Sequence, residues 1–84
     1  MRLDKYLKVS RLIKRRTVAN DACDSERISV NGKPAKASYN VKIGDEITVA
    51  FVSKSVTLKV LEIKETTKKS ESVGMYTVIS ETDA

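Results

Sequence analysis

The sequence predicts an α+β fold, with N-terminal helices packed on a small, bent, mostly antiparallel sheet. Three observations predict it. Apolar residues in the first 25 positions recur at helical spacing, from Leu3 and Leu7 to Ala19 and Cys23. Asn31-Gly32 is a strong hairpin signal, because both residues tolerate the positive φ of a type I′ turn. Further on, Ile47, Val49 and Phe51, then Val56, Leu58 and Val60, alternate with other residues at the period of a strand.

An 84-residue chain makes one domain and buries only roughly 60–65% of the surface its unfolded form exposes. The core is therefore thin, with little room for a deep pocket. A composition of 40% hydrophobic and 32% charged residues fits a globular domain. No apolar run approaches the roughly 20 residues that cross a membrane, and the N-terminus carries no apolar signal segment, which predicts a cytoplasmic protein. Cys23 is the sole cysteine and histidine is absent. These two facts exclude an internal disulfide and a zinc site of the usual Cys/His kind, and remove the commonest general acid/base.

Arg2–Ile13 reads as helical. Leu3 and Leu7 stand four apart with Tyr6 beside them, and Leu12 and Ile13 resume after Val9. Arg2, Lys5, Lys8, Arg11 and Lys14 recur every third position. On a continuous helix that spacing drifts by about 60° per step, so the five cannot share one face. The apolar phase slips between Leu7 and Val9 as well. A helix ending near Val9–Ser10, followed by a turn or second short helix, satisfies both. Thr17 is then the expected cap of a helix running to about Ser25. Val18, Ala19, Ala22 and Cys23 form its buried stripe, and Asn20, Asp21 and Asp24 face water. Cys23 reads as a small buried hydrophobe, since nothing apparent lowers its pKa.

Ile28 and Val30 alternate with Arg27 and Ser29 as a short strand. Lys33–Lys36 is the expected return strand, at a sheet edge because Pro34 cannot donate to a ladder. Val41 and Ile43 lead into a Gly44-Asp45 turn, and Glu46–Val52 is a strand with Ile47, Val49 and Phe51 on one face. Ser53–Ser55 connects to Val56–Lys64, where the parity switch at Leu61 and Ile63 predicts a bulge near Val60–Leu61. Glu65–Ser72 reads as a polar loop with Lys68-Lys69 at its tip, Met75–Ile79 as the last strand, and Glu81–Asp83 as a fraying end.

Charge is the strongest functional signal. The first 16 residues hold seven basic side chains against one acid, Asp4, a net of +6; the other 68 hold nine basic and ten acidic, a net of −1. A purely solvated helix mixes signs for i,i+4 pairing, whereas this segment does not. An excess of this kind favours a polyanion, either nucleic acid or an anionic membrane surface. A membrane-surface helix needs bulky apolar anchors, and the apolar residues here are small or of core type. Contact with RNA phosphates is therefore expected from Arg2, Lys5, Lys8, Arg11, Lys14, Arg15 and Arg16. Arginine presents a planar fork to phosphate, and lysine a point charge. Lys33 and Lys36 extend the patch if the hairpin packs beside the helices. Among the tyrosines, Tyr6 lies on an apolar stripe and reads as core. Tyr39, in a polar loop between lysines, is the better stacking platform. With one Phe and no Trp, the chain has no aromatic sheet surface for single strands, so folded RNA read by backbone and shape is the expected target. Asp45-Glu46 reads as turn chemistry, and no phosphate loop, metal set or nucleophile–base pair is visible, so no enzymatic activity and no cofactor are expected.

Four pieces occur in order: Arg2-Leu3-Asp4-Lys5-Tyr6-Leu7, Arg16-Thr17-Val18-Ala19, Arg27-Ile28-Ser29-Val30-Asn31-Gly32 and Val41-Lys42-Ile43-Gly44-Asp45-Glu46-Ile47. Together they resemble the RNA-binding domain named after ribosomal protein S-four, with its αL motif. The resemblance implies one S-four-type domain over 1–84, a motif core at about 1–50 and additional strands at about 56–80. With Lys8–Thr17 and Met75–Ile79 included, the whole chain is similar to the single-domain RqcP family, relatives of the heat-shock protein that recycles obstructed large ribosomal subunits. That resemblance implies binding to large-subunit rRNA and peptidyl-tRNA on stalled complexes. It also implies support of C-terminal alanine tailing by the tail-adding factor RqcH, by a protein that is monomeric when free. Arg2 and Arg16 match the family's arginines most closely. Glu26 departs from the family, which usually has Gly there; at positive φ a non-Gly residue costs roughly 1 kcal/mol. The alternative reading is a general structured-RNA-binding or regulatory module without ribosome rescue function. A second alternative is an RNA-modifying enzyme, since such a domain is often the appendage of pseudouridine synthases; with no catalytic domain expected in these residues, any activity would have to come from a partner.

Overall fold

The computed structural model describes residues 1–64 and 73–83. Two helices, α1 (Leu3–Val9) and α2 (Arg16–Asp24), precede five strands: β1 (Ile28–Val30), β2 (Lys33–Pro34), β3 (Glu46–Ala50), β4 (Lys54–Val60) and β5 (Tyr76–Asp83). The strands form one antiparallel sheet in the order β2-β1-β3-β4-β5. This is the α+β architecture the sequence predicts.

Local chemistry explains the boundaries. At the end of α1 the Ser10 N–H reaches the Tyr6 carbonyl, and Arg11 takes a φ of 64°, which turns the chain before the third basic step can continue the helix. The drift of the basic series is resolved in this way, by a break after Val9. The first donors of α1 are satisfied from outside the helix: the Leu3 and Asp4 N–H groups bond to the carbonyls of Tyr39 and Ala37, at 2.8 and 3.2 Å. At the end of α2, Arg27 N–H bonds to Ala22 and Glu26 N–H to Cys23, with Glu26 at φ 59°. That pair of bonds is a Schellman ending, and it places Glu26 in the left-handed conformation expected at that corner.

The core lies between the helices and one sheet face. Leu3, Tyr6 and Leu7 of α1 and Ala19 and Cys23 of α2 pack on Ile28, Val30, Ile47, Val49, Leu58 and Val60, closed at one end by Met75. Tyr6 is fully buried, and its hydroxyl donates to the Met75 carbonyl at 2.8 Å, so it is core as expected. The Asn31-Gly32 turn has φ values of 53° and 84°, as a type I′ hairpin requires, and pairs Val30 with Lys33. β2 is the edge strand that Pro34 dictates, although it spans two residues rather than four.

Five expectations are corrected. Thr17 is not the cap: α2 starts at Arg16, its N-cap is Arg15 in an extended conformation, and no side-chain cap bond is made. Val18 does not share the buried stripe but is 50% exposed, because α2 presents the face carrying Ala19 and Cys23 to α1. Phe51 lies beyond the end of β3 and is exposed; the chain turns there through a Phe51 N–H to Lys54 carbonyl bond of 2.7 Å. The register slip is in the β4–β5 pairing, where Thr57 meets Ser80 and Leu58 meets Val78, so that Ile79 is the extra residue. β4 itself stops at Val60, and the Leu61 and Glu62 N–H groups both turn onto the Met75 carbonyl, which accounts for the change in parity. The acidic end is not frayed: β5 continues to Asp83, paired with Lys54, and Lys54 Nζ meets Glu81 Oε1 at 2.7 Å. The loop expected at 65–72 lies outside the described residues.

Because Glu26 occupies a left-handed position with a side chain, Glu26→Gly is expected to raise the unfolding free energy by about 1 kcal/mol. The measurement is the urea midpoint at unchanged slope.

Candidate nucleic-acid interface

One acid organises the basic end. Asp4 is 2% exposed although its neighbours in sequence are Arg2, Lys5 and Lys8. Its Oδ1 accepts from Arg2 Nε at 3.2 Å and from the Lys5 N–H at 2.8 Å. Its Oδ2 accepts from Arg2 Nη2 at 3.4 Å, Arg16 Nε at 3.3 Å and Asn20 Nδ2 at 3.4 Å. Two guanidinium groups, one from each side of the α1–α2 turn, therefore converge on one oxygen. About half of each arginine side chain remains exposed. Burial by itself would raise the Asp4 pKa, but the bonds from Asn20, Arg16, Arg2 and the Lys5 N–H outweigh it and hold the carboxyl below the ordinary carboxylate range.

The remaining cations of the segment follow the broken helix. Lys8, Arg11, Lys14 and Arg15 are exposed along the end of α1 and the turn into α2, and Lys5 is half-buried. Lys8 sits in the last turn of α1, where the helix dipole favours a cation. The hairpin does pack beside the helices. The bridge between Arg2 and Asn40 and the bond from the Val41 N–H to the Met1 carbonyl lay the N-terminus along residues 37–41. A shallow groove thus runs between α2 and residues 34–38, with Arg2, Asn20 and Lys36 on its walls. A second concavity continues over Lys33, Lys36 and Tyr39, so Lys36 is common to both. Asp24 and Glu26 also line the first groove, so the acid at the unusual corner does face the basic surface.

A second carboxylate fixes this extension. Asp45 is 8% exposed and accepts from the Tyr39 hydroxyl at 2.9 Å, the Lys42 N–H at 2.9 Å and Asn31 Nδ2 at 3.2 Å, while Asn31 Oδ1 accepts from the Glu46 N–H at 3.0 Å. Burial raises the Asp45 pKa, yet the bonds from Lys42, Tyr39 and Asn31 prevail and leave it lowered. The bond to Asp45 is in turn the main cause of the raised Tyr39 pKa, followed by burial and the Asp45 charge. The Tyr39 ring is thus half-buried, with its hydroxyl anchored at the edge of the patch.

Asn20 is expected to face water, Asp45 to serve a turn and Asp4 to be only the lone acid of its segment, yet Asn20 braces the buried Asp4 and Asp45 is itself buried. The solitude of Asp4 was the available signal, since a single carboxylate among seven cations has several partners within reach. Cys23 is buried, and desolvation, with the charges of Asp4 and Asp24, pushes its thiol up to about 11, so it stays protonated at neutral pH. Among the described residues no group of three or more His, Cys, Asp or Glu side chains could hold a metal ion. No helix among them is long and apolar enough to cross a membrane. The arrangement is one of two carboxylate-held arginines among exposed cations on a shallow surface, suited to binding phosphates.

The S4 domain model matches residues 1–47. A protein of Bacillus subtilis (strain 168) named RQC P-site tRNA stabilizing factor is 62% identical over 81 residues, which are 96% of this chain and 94% of that one. The protein of that name from Streptococcus pneumoniae (strain ATCC BAA-255 / R6) is 56% identical over 82 residues, 98% of this chain and 93% of its own. In fold, the chain is similar to the trimeric structure of Vibrio cholerae Heat Shock Protein 15, with a TM-score of 0.88 and 28% identity over 95% of this chain and 82% of that one. It is also similar to a hypothetical protein solved in solution, with a TM-score of 0.83 and 30% identity over 95% of this chain and 98% of that one.

Asp4 and Asp45 both have lowered pKa values in the folded state, so each stabilises the fold fully at pH values above the unfolded carboxylate pKa of about 4. That contribution is lost as the pH falls below about 4 and through the lowered folded values. Urea midpoints are expected to be level in this respect from about pH 7 to about pH 5 and to fall in the acid range. Asp45→Asn should flatten that fall.

Proposed function

We propose, for a chain that belongs to the S4 domain family and to the family of RQC P-site tRNA stabilizing factors, a non-enzymatic role in ribosome-associated quality control. In this reading it binds large-subunit rRNA and peptidyl-tRNA on stalled complexes. It acts in the cytoplasm, as a monomer when free and without membrane contact, and supports alanine tailing of the nascent chain with RqcH. Residues 1–84 act as a single RNA-binding unit.

The observation that carries the reading is the pair of arginines, Arg2 and Arg16, held half-exposed on one buried carboxylate beside further cations. Fixed guanidinium forks contact phosphate with little loss of side-chain freedom. Lys8, Arg11, Lys14 and Arg15 add charge along the α1–α2 turn, and Lys33, Lys36 and Tyr39 continue the surface onto the hairpin. The surface is bent and shallow, which suits folded RNA recognised through its backbone. Names borne by relatives over almost their full length support the P-site tRNA as the partner.

The test is sedimentation of lysate under conditions that preserve stalled peptidyl-tRNA. The protein is expected with the large subunit, and its absence there would sink the reading. With purified subunits, binding should weaken with salt at a log–log slope of about −3 to −5, for four to six phosphate contacts. Arg16→Ala should lose about tenfold in affinity, the equivalent of one charged contact. Its melting temperature should fall by less than about 8 °C, because Asp4 retains Arg2, Asn20 and the Lys5 N–H.

A further inference from the structure

We infer that Asp4 is a positioning residue for RNA binding, acting through Arg2 and Arg16 to form one phosphate clamp, although it carries the wrong charge to touch RNA itself. The inference rests on the proposed RNA-binding role and assigns its central contact. The observation is convergence on a single atom: Arg2 Nη2 and Arg16 Nε both donate to Asp4 Oδ2, at 3.4 and 3.3 Å, and Asn20 Nδ2 braces the same oxygen at 3.4 Å. Two cations brought this close repel each other unless an anion lies between them. Asp4 supplies that anion from below, at 2% exposure, and its backbone is fixed by the bond from its own N–H to the Ala37 carbonyl.

The local balance explains why a phosphate fits. Two guanidinium charges and one carboxylate leave a net +1 under a half-exposed surface, and one backbone phosphate neutralises it. Arg2 commits Nε and Nη2 to Asp4, and Arg16 commits Nε, so among the described residues Nη1 of Arg2 and both terminal nitrogens of Arg16 remain available for the ligand. Without the carboxylate the two side chains would spread apart, and each phosphate contact would have to order a long side chain anew. The clamp joins residues 14 positions apart, so it also ties the geometry of the bend between α1 and α2 to the ligand.

The sign of one substitution separates positioning from simple charge. Asp4→Asn removes a negative charge from a basic surface, so charge alone predicts tighter binding. Positioning predicts weaker binding, by about tenfold for one lost contact, with a shallower salt slope. The experiment measures binding of the full chain to purified large ribosomal subunits, at low temperature, for Asp4→Asn, Arg2→Ala/Arg16→Ala and the triple variant. The expected result is that Asp4→Asn weakens binding in the parent and has no further effect once both arginines are gone. If the arginine variant binds poorly but Asp4→Asn binds as well as the parent or better, the positioning role is overturned while the RNA-binding role stands. An Asp4→Asn loss that persists in the arginine-free background makes Asp4 merely structural and also overturns it. If the arginine variant binds normally, Arg2 and Arg16 form no clamp and the inference is overturned, while RNA binding through the other cations stands. Should Asp4→Asn fail to fold, Asn20→Ala loosens the same oxygen from a half-buried site and is expected to weaken binding in the parent but not in the arginine-free chain. An unchanged affinity there would again overturn the role.

Discussion

A carboxylate sealed under two arginines is the constraint on which the basic surface depends. Asp4 lies where α1, α2 and residues 37–40 meet, and its partners come from its own segment, from α2 and from the backbone beside it. Among the described residues no buried polar side-chain atom lacks a partner, so the acid is tolerated at this depth because its lone pairs are filled. The same bonds that make its burial tolerable hold the cations in place. A thin core under 84 residues has few other means of ordering long side chains at its surface.

Asp45 repeats the device at the hairpin. It joins Asn31 of the turn, Tyr39 of the connecting segment and the Lys42 backbone, so the part of the surface bearing Lys33 and Lys36 is tied to the start of β3. The two carboxylates thus stand under the two parts of the basic patch, and Lys36 borders both concavities. One buried anion holds two arginines directly and the other fixes the segments beside Lys33 and Lys36, an economy open to a domain too small for a deep pocket.

The elements legible in the sequence were those whose signal is local. The break after Val9 followed from the three-residue spacing of the cations, and the hairpin from Asn31-Gly32. The positive φ of Glu26 was legible only through the resemblance, which usually puts a glycine at that corner. Thr17 misled because a threonine near a helix start is a good cap only if the chain enters there, and the bond from the Ala19 N–H to the Arg15 carbonyl starts the helix earlier. Val18 and Phe51 fit apolar periods that end or turn away from the core once the neighbouring elements are in place.

By itself, then, the sequence determined two short helices, a hairpin, an alternating sheet and a concentration of cations at one end. Spacing along the chain suffices for those, because helix and strand periods repeat over a few residues. Tertiary structure alone decided which acid would be buried, which arginines would meet, and how far the last strand would run. Arg16 reaches Asp4 across 12 positions, Asn20 across 16, and Tyr6 reaches Met75 across 69. Such partners are chosen by closure of the whole chain around its core, and no local period encodes them.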